Sequence, residues 1–299
     1  MYYSQSLISG ALFIICAEFM AVITGALIKM AHDSLPMEAI VFFRNLFILL
    51  AVAPLIVRFK INHLKIAVIQ WHIARAIFGL GGIYSYIYVL SELKLVNAML
   101  LLTMSPIFIP IAAFLILGET INRWISLAIL IGFLGIIAIL QPDGSTSTYT
   151  LIGVAGSFSI ALGQVIIRKL SKTEPAQKIV FYFAFFASIV TAIPLTWSWQ
   201  SPTLWQWGLL VALGGSAAIT QLLVTRGFAS APASQVGIFT YSSVFLAAVT
   251  GWLFWGEVWD IISVTGAILI IAAGLVVLRY TSAERLKKSN THDSAYAKD

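Results

Sequence analysis

The chain has 299 residues, 60% of them apolar and only 10% charged, with a mean hydropathy of +0.96. Soluble domains carry about 25% charged residues, so a water-enclosed globular core is excluded. One cysteine, Cys16, leaves no intrachain disulfide or cysteine-cluster metal site, and the net charge of +6 sits at helix ends and in a tail, which argues against a nucleic-acid partner.

Ten apolar stretches follow one another from Leu7 to Leu278, at 7–29, 36–57, 68–90, 95–117, 124–140, 151–170, 178–198, 206–228, 234–255 and 261–278. Each is near the roughly 20 residues that an α-helix needs to cross the hydrocarbon of a bilayer. The expected fold is therefore an all-α membrane protein of ten transmembrane helices. No cleavable leader is expected, because the residues before Leu7 hold no Lys or Arg and the first stretch is too long for a signal core.

Span one carries Glu18 and span two carries Arg44, both near the bilayer midplane and at similar depth. They are expected to pair, or to form a substrate or proton site. A charge in mid-membrane is costly and needs a reason. Span three carries Arg75, which shares one helical face with Gly79, Gly82 and Tyr86, while Tyr84 and Tyr88 share the opposite face. Arg75 has two readings of equal weight, snorkelling to the inner headgroups or lining a cavity. In span four, Pro106 and Pro110 remove backbone donors and are expected to act as a hinge that bends the helix. Five spans lie before the Gln141–Thr150 break and five after it. Span six contributes Gln164 and span eight Gln221, amides that need partners inside the bilayer. Span nine brings Tyr241, Ser242 and Ser243 to the level of Thr103, Met104 and Ser105 in span four. The polar segment 280–299 is expected to be a disordered cytoplasmic tail.

With the N-terminus inside, 14 of the 18 Lys and Arg residues fall in cytoplasmic segments and only Lys29 and Lys94 in outer ones. The positive-inside bias therefore predicts an inner-membrane protein with both termini cytoplasmic. The tryptophans fit this frame: Trp197, Trp199, Trp205, Trp207, Trp255 and Trp259 sit at outer helix ends.

The halves 7–140 and 151–278 match at an offset near 139. Pro36 falls on Pro175 and Ile40–Phe42 on Ile179–Phe181, while Ser105 and Gly118-Glu119 fall on Ser243 and Gly256-Glu257 at an offset of 138. Five spans per half is an odd number, so two similar halves must cross the membrane in opposite senses, the inverted repeat found in carriers. The halves differ at two matched positions, where Pro106 becomes Val244 and Arg44 becomes Phe183.

These features resemble the EamA-like family of the drug/metabolite transporter superfamily. The resemblance rests on the two five-span halves, on Phe42-Phe43-Arg44, and on the run from Ser105-Pro106 to Leu117-Gly118-Glu119, repeated as Ser243 to Trp255-Gly256-Glu257. It covers about residues 7–279 and implies a secondary carrier or exporter of small metabolites.

The expected function is alternating-access transport of a small polar or zwitterionic metabolite, an amino acid or related compound, bound between the halves near the midplane. Candidate binding or coupling residues are Glu18, Arg44, Arg75, Tyr84, Tyr86, Tyr88, Gln164, Gln221 and Tyr241. Glu18 is the only acid placed mid-span and so the nominated carrier of a coupling proton. Two alternatives are a non-transporting structural or assembly subunit, and a transporter of larger drug-like or nucleoside-like metabolites. No cofactor, metal or catalytic residue is expected. His32, His63, His72 and His292 lack metal-ligand spacing, and no phosphate-binding glycine loop occurs. Glu119 and Glu257 stand at helix ends, where capping suffices. Composition leaves monomer or homodimer open.

Overall fold

The computed structural model describes residues 6–32, 34–58, 68–92, 101, 103–120, 123–140, 148–246, 249 and 261–296. The helices are α1 (Leu7–His32), α2 (Met37–Arg58), α3 (Ile69–Glu92), α4 (Ser105–Leu117), α5 (Arg123–Leu140), α6 (Thr148–Leu170), α7 (Ala176–Ser198), α8 (Leu204–Ser230), the short α9 (Ala233–Val236) and α10 (Ile261–Tyr296). Among the described residues there is no strand. Five helices, α1, α2, α6, α7 and α8, are by length and composition sufficient to cross a bilayer. Their apolar residues, such as Leu12, Phe19, Val57 and Ile193, lie open on the outside of the bundle, as lipid-facing side chains must.

The main partner of each helix lies in the other half. α1 packs on α8, α2 on α7, α3 on α6 and α5 on α10, while α4 leans on α6 and α9 touches α1. If α1–α5 are matched to α6–α10, the α1–α8 and α3–α6 contacts are the same contact made twice. The pairs α2–α7 and α5–α10 map onto themselves. This is the contact pattern of a pseudo-twofold arrangement, and no half is packed by itself.

Lipid is as apolar as leucine, so these seams cannot rely on the hydrophobic effect and need close backbone approach. A Cβ on Gly10 would stand 3.2 Å from the Gly227 carbonyl across α1–α8, and one on Gly135 would stand 2.7 Å from the Gly266 carbonyl across α5–α10. On α3, a Cβ at Gly82 would meet Ile160 at 2.6 Å. The pairs Gly81-Gly82 and Gly214-Gly215 each use one glycine this way. A Cβ at Gly214 would run into Phe47, whereas at Gly215 it would meet nothing within 4 Å. The helix starts are also specified locally. Pro36 and Pro175 precede α2 and α7, and Thr203 and Gln206 form a capping box that opens α8.

Spans four and nine depart from single bent helices. In span four the chain turns at Thr103–Met104 and a new helix, α4, begins at Ser105 with Pro106 in its first turn. Pro106 therefore starts a helix where its missing N–H costs nothing, instead of bending one, while Pro110 lies inside α4 and is buried. In span nine, α9 gives way to a 3-10 segment, Gly237–Tyr241, before helix resumes at 242–246. At the offset of 138, Tyr241 matches Thr103, so the two interruptions fall at corresponding positions.

α10 also differs from expectation. Its backbone stays helical to Tyr296, so the polar segment 280–296 takes helical form where composition suggests disorder. Ala283, Glu284, Arg285, Leu286 and Lys287 are good helix formers. An apolar span that already supplies the nucleus makes extension inexpensive.

Candidate substrate site between the halves

Arg75 is the centre of the polar interior. It is 7% exposed, and its Nη2 donates to Gln221 Oε1 on α8 at 3.1 Å. The guanidinium lies over the ring of Phe183 on α7, 4.3 Å from the centroid. A Cβ on Gly79 would collide with Nη1, and one on Gly163 of α6 would stand 3.4 Å from it. Gly79 lies one turn further along α3 than Arg75, toward the end expected to face outward. The side chain thus folds toward mid-membrane, opposite to the direction snorkelling requires. Four helices meet around this group, and the two glycines give it room. Arg75 Nε is buried without a hydrogen-bond partner, as is Gln164 Oε1 beside Gly163.

Arg44 enters from α2. Its Nη1 donates to Oδ1 of the neighbouring Asn45 at 3.2 Å, and Asn45 Nδ2 is buried without a partner. Arg44 lies on α2, which packs against α7 and α8, the helices that bring Phe183 and Gln221 to Arg75. The expected Glu18–Arg44 ion pair is not formed. Among the described residues an ion pair does form between Lys178 and Glu174, at 2.5 Å, at the α6–α7 turn. Glu18 is half-buried and crowded by protein, with no ion-pair partner among the described residues. The reason lies in the packing. α1 turns its Gly10, Ile14 and Ala17 face to α8 and makes little contact with α2. Close to that seam, Thr24 Oγ1 donates to Ser216 Oγ at 3.0 Å. A Cβ on Gly25, two turns from Glu18 on the same face of α1, would meet nothing within 4 Å.

The tyrosines separate from this group. Tyr241 is 1% exposed, and its ring fills the notch over Gly132, where a Cβ would stand 2.5 Å from it; its hydroxyl donates to the Ile129 carbonyl at 3.4 Å. It packs the 3-10 segment against α5. Tyr84 packs with Phe183 and Ala187, and Tyr88 is 47% exposed with its ring beside Tyr149. Tyr86 is half-buried. The structure thus joins Arg75 to Gln221, sets Gln164 next to Gly163 at the same guanidinium, and packs Tyr241 over Gly132.

Comparison with known proteins decides the family. The model of the EamA-like transporter family matches this chain twice, at residues 8–141 and 147–279. The chain belongs to the EamA-like transporter family. Over 279 residues it is 34% identical to the pseudopaline exporter CntI of Pseudomonas aeruginosa, covering 91% of this chain and 96% of that protein. It is 27% identical over 252 residues to an S-adenosylmethionine uptake transporter of Rickettsia bellii, covering 83% of this chain and 86% of that one. A solved crystal structure shares the fold, with a TM-score of 0.77 at 17% identity over 92% of this chain and 99% of that chain. This EamA-like protein is thus an integral membrane transporter of small molecules and not an enzyme.

The Leu-Gly-Glu motif of this EamA-like chain has a mechanical explanation. Gly118 closes α4 with φ of 68°, a left-handed value that glycine adopts without steric cost. The turn aims Glu119 at the second half, where its carboxylate accepts from Ala233 N at 3.1 Å, Ser234 N at 3.2 Å and Ser234 Oγ at 2.9 Å. One carboxylate therefore caps α9, the entry to the interrupted span nine. Beside it, Arg168 donates to the Ala229 carbonyl at 2.6 Å, at the end of α8. At a helix end, capping or loop contacts were expected to suffice for Glu119; its partner in the other half was not legible. Glu257 lies outside the described residues. Asn45, Ser216, Phe183 and Glu119's partners were missed as site residues because no charge or spacing marks them.

Proposed function

We propose that this EamA-like transporter is a secondary carrier for a small polar or zwitterionic metabolite, an amino acid or related compound. In this reading the substrate binds beside Arg44, Arg75, Gln164 and Gln221, and the halves rock about that site. The observation that carries it is the buried guanidinium of Arg75 where α3, α6, α7 and α8 meet, held by neutral partners only, with the half-buried Arg44 on α2, which packs against α7 and α8. A structural ion pair would have bound them to an acid. Interrupted spans in corresponding positions of two inverted halves add support, because such breaks let backbone groups line a central site. Among the similar proteins, one is named for pseudopaline export and another for S-adenosylmethionine uptake.

The placement that follows from the Lys and Arg bias is the inner membrane with both termini cytoplasmic. A single cysteine at Ser147, with Cys16 removed, should react with an impermeant thiol reagent in intact cells. Reaction only after permeabilisation would reverse the orientation. The carrier itself is tested by counterflow in proteoliposomes with a panel of labelled amino acids and derivatives. Saturable exchange that disappears in Arg75→Gln is the expected result, and absence of flux for the whole panel would sink the reading. Repeating the assay with and without a pH gradient, for wild type and Glu18→Gln, tests proton coupling. Net flux should follow the gradient only when Glu18 is present.

A further inference from the structure

The donors and acceptors around Arg75 do not balance. Arg44 and Arg75 each have one recorded hydrogen bond, to Asn45 and Gln221. Arg75 Nε and Asn45 Nδ2 are buried without an acceptor, against a single unpartnered amide oxygen, Gln164 Oε1. Charge is as lopsided as hydrogen bonding. α6, α7 and α8, which surround Arg75, contain no Asp or Glu, and α3 holds its only acid, Glu92, at its last position. On α2 the only acid is Glu38, six residues before Arg44. α1 brings Glu18, which pairs with neither arginine. Arg75 is buried and Arg44 half-buried, and holding like charges there without a counter-ion is costly. A bound anion would offset that cost, and a guanidinium meets a carboxylate by two parallel N–H···O bonds that an ammonium cannot reproduce.

We infer that the substrate carries two carboxylates, one for Arg44 and one for Arg75, with Gln164 Oε1 left to receive an amine or other donor. This rests on the carrier reading above and narrows it from a simple zwitterion to an amino compound with a surplus negative charge. Phe183 fits the same scheme. It occupies in α7 the position that Arg44 occupies in α2, so a third cation is absent and an apolar face supports the guanidinium of Arg75 from below.

The test uses matched acid and amide pairs, so that shape is held while one carboxylate is removed. L-Glutamate is compared with L-glutamine, and N-carboxymethyl-L-methionine with N-carbamoylmethyl-L-methionine, on the full chain in nanodiscs and proteoliposomes. The acid of at least one pair should stabilise the protein and compete for counterflow at about tenfold lower concentration than its amide. In Arg44→Gln that preference should fall to about one, while the protein without added ligand melts at a higher temperature because an uncompensated charge in the membrane is gone. Arg44→Lys should retain a reduced preference for the acid. Equal competition by acid and amide, with flux present, overturns the two-carboxylate inference and leaves the carrier reading standing. A melting temperature that falls in Arg44→Gln with the acid preference intact also overturns it, by making Arg44 structural. No flux for any compound overturns both.

Discussion

The two halves share a scaffold and differ in chemistry. Glu18, Arg44 and Arg75, the charges placed mid-span, all belong to the first half, while the second half supplies Phe183, Gln221 and the Gly163-Gln164 pair around Arg75. The interrupted spans differ in the same spirit. Span four restarts on Pro106, whereas span nine has Val244 there and tightens into a 3-10 segment whose Tyr241 is pinned over Gly132. Symmetry fixes where the chain breaks and crosses, because the helix contacts that hold the halves are duplicated. It does not fix which side chains stand at the crossing, and under the proposed reading one site between the halves needs each role filled only once.

The largest effect is expected at the asymmetric centre. Arg75→Ala strands Gln221 and empties the space between Gly79, Gly163 and Phe183, at a cost of roughly 2–4 kcal/mol. Transport should be lost, while Phe183→Leu, which removes only the aromatic face, should cost about 0.5–2 kcal/mol and retain it. Thermal melting in detergent with parallel counterflow measures both, and equal losses would mean that the ring matters as much as the charge.

The second comparison sets Glu119 against Glu257. Glu119→Gln weakens charge-assisted bonds to Ala233 and Ser234 and should cost about 2–3 kcal/mol. If the repeat uses its Gly-Glu ends alike, Glu257→Gln lowers the melting temperature by a similar amount. A large loss in one and none in the other would show that the inverted halves cap their interrupted spans differently.

Smaller effects come from the seams. Gly132→Ala presses a methyl group into the Tyr241 ring and should destabilise by roughly 1–3 kcal/mol, an overpacking cost readable as a shift in melting temperature. The matched position in span four is Thr103, which brings no such ring. Smallest is Thr24→Val at the α1–α8 seam, where one interhelical hydrogen bond in a membrane is worth about 0.6 kcal/mol. A loss of several times that size would give the Thr24–Ser216 bridge a larger share in joining the halves than its chemistry warrants.

Hydrophobic length and charge asymmetry were enough to read ten spans in two halves, and the near-constant offset was enough to pair them. The chain's own composition determined these features, because a bilayer imposes a span length and hydrogen-bond closure that leave few options. Sequence also marked Arg44, Arg75, Gln164 and Gln221 as groups that need partners, since they are costly inside a membrane. What it did not determine was who meets whom. Glu18 and Arg44 agree in depth and oppose in charge, yet α1 turns to α8 and the pair does not form. Arg75 reaches Gln221, 146 positions away in the chain, because α3 and α8 belong to different halves that interlock. Tyr241 is polar enough to suggest a site and instead fills the notch over Gly132. Depth along a helix follows from counting residues, but rotation about its axis is decided by packing against neighbours, and in this fold those neighbours come from the opposite half.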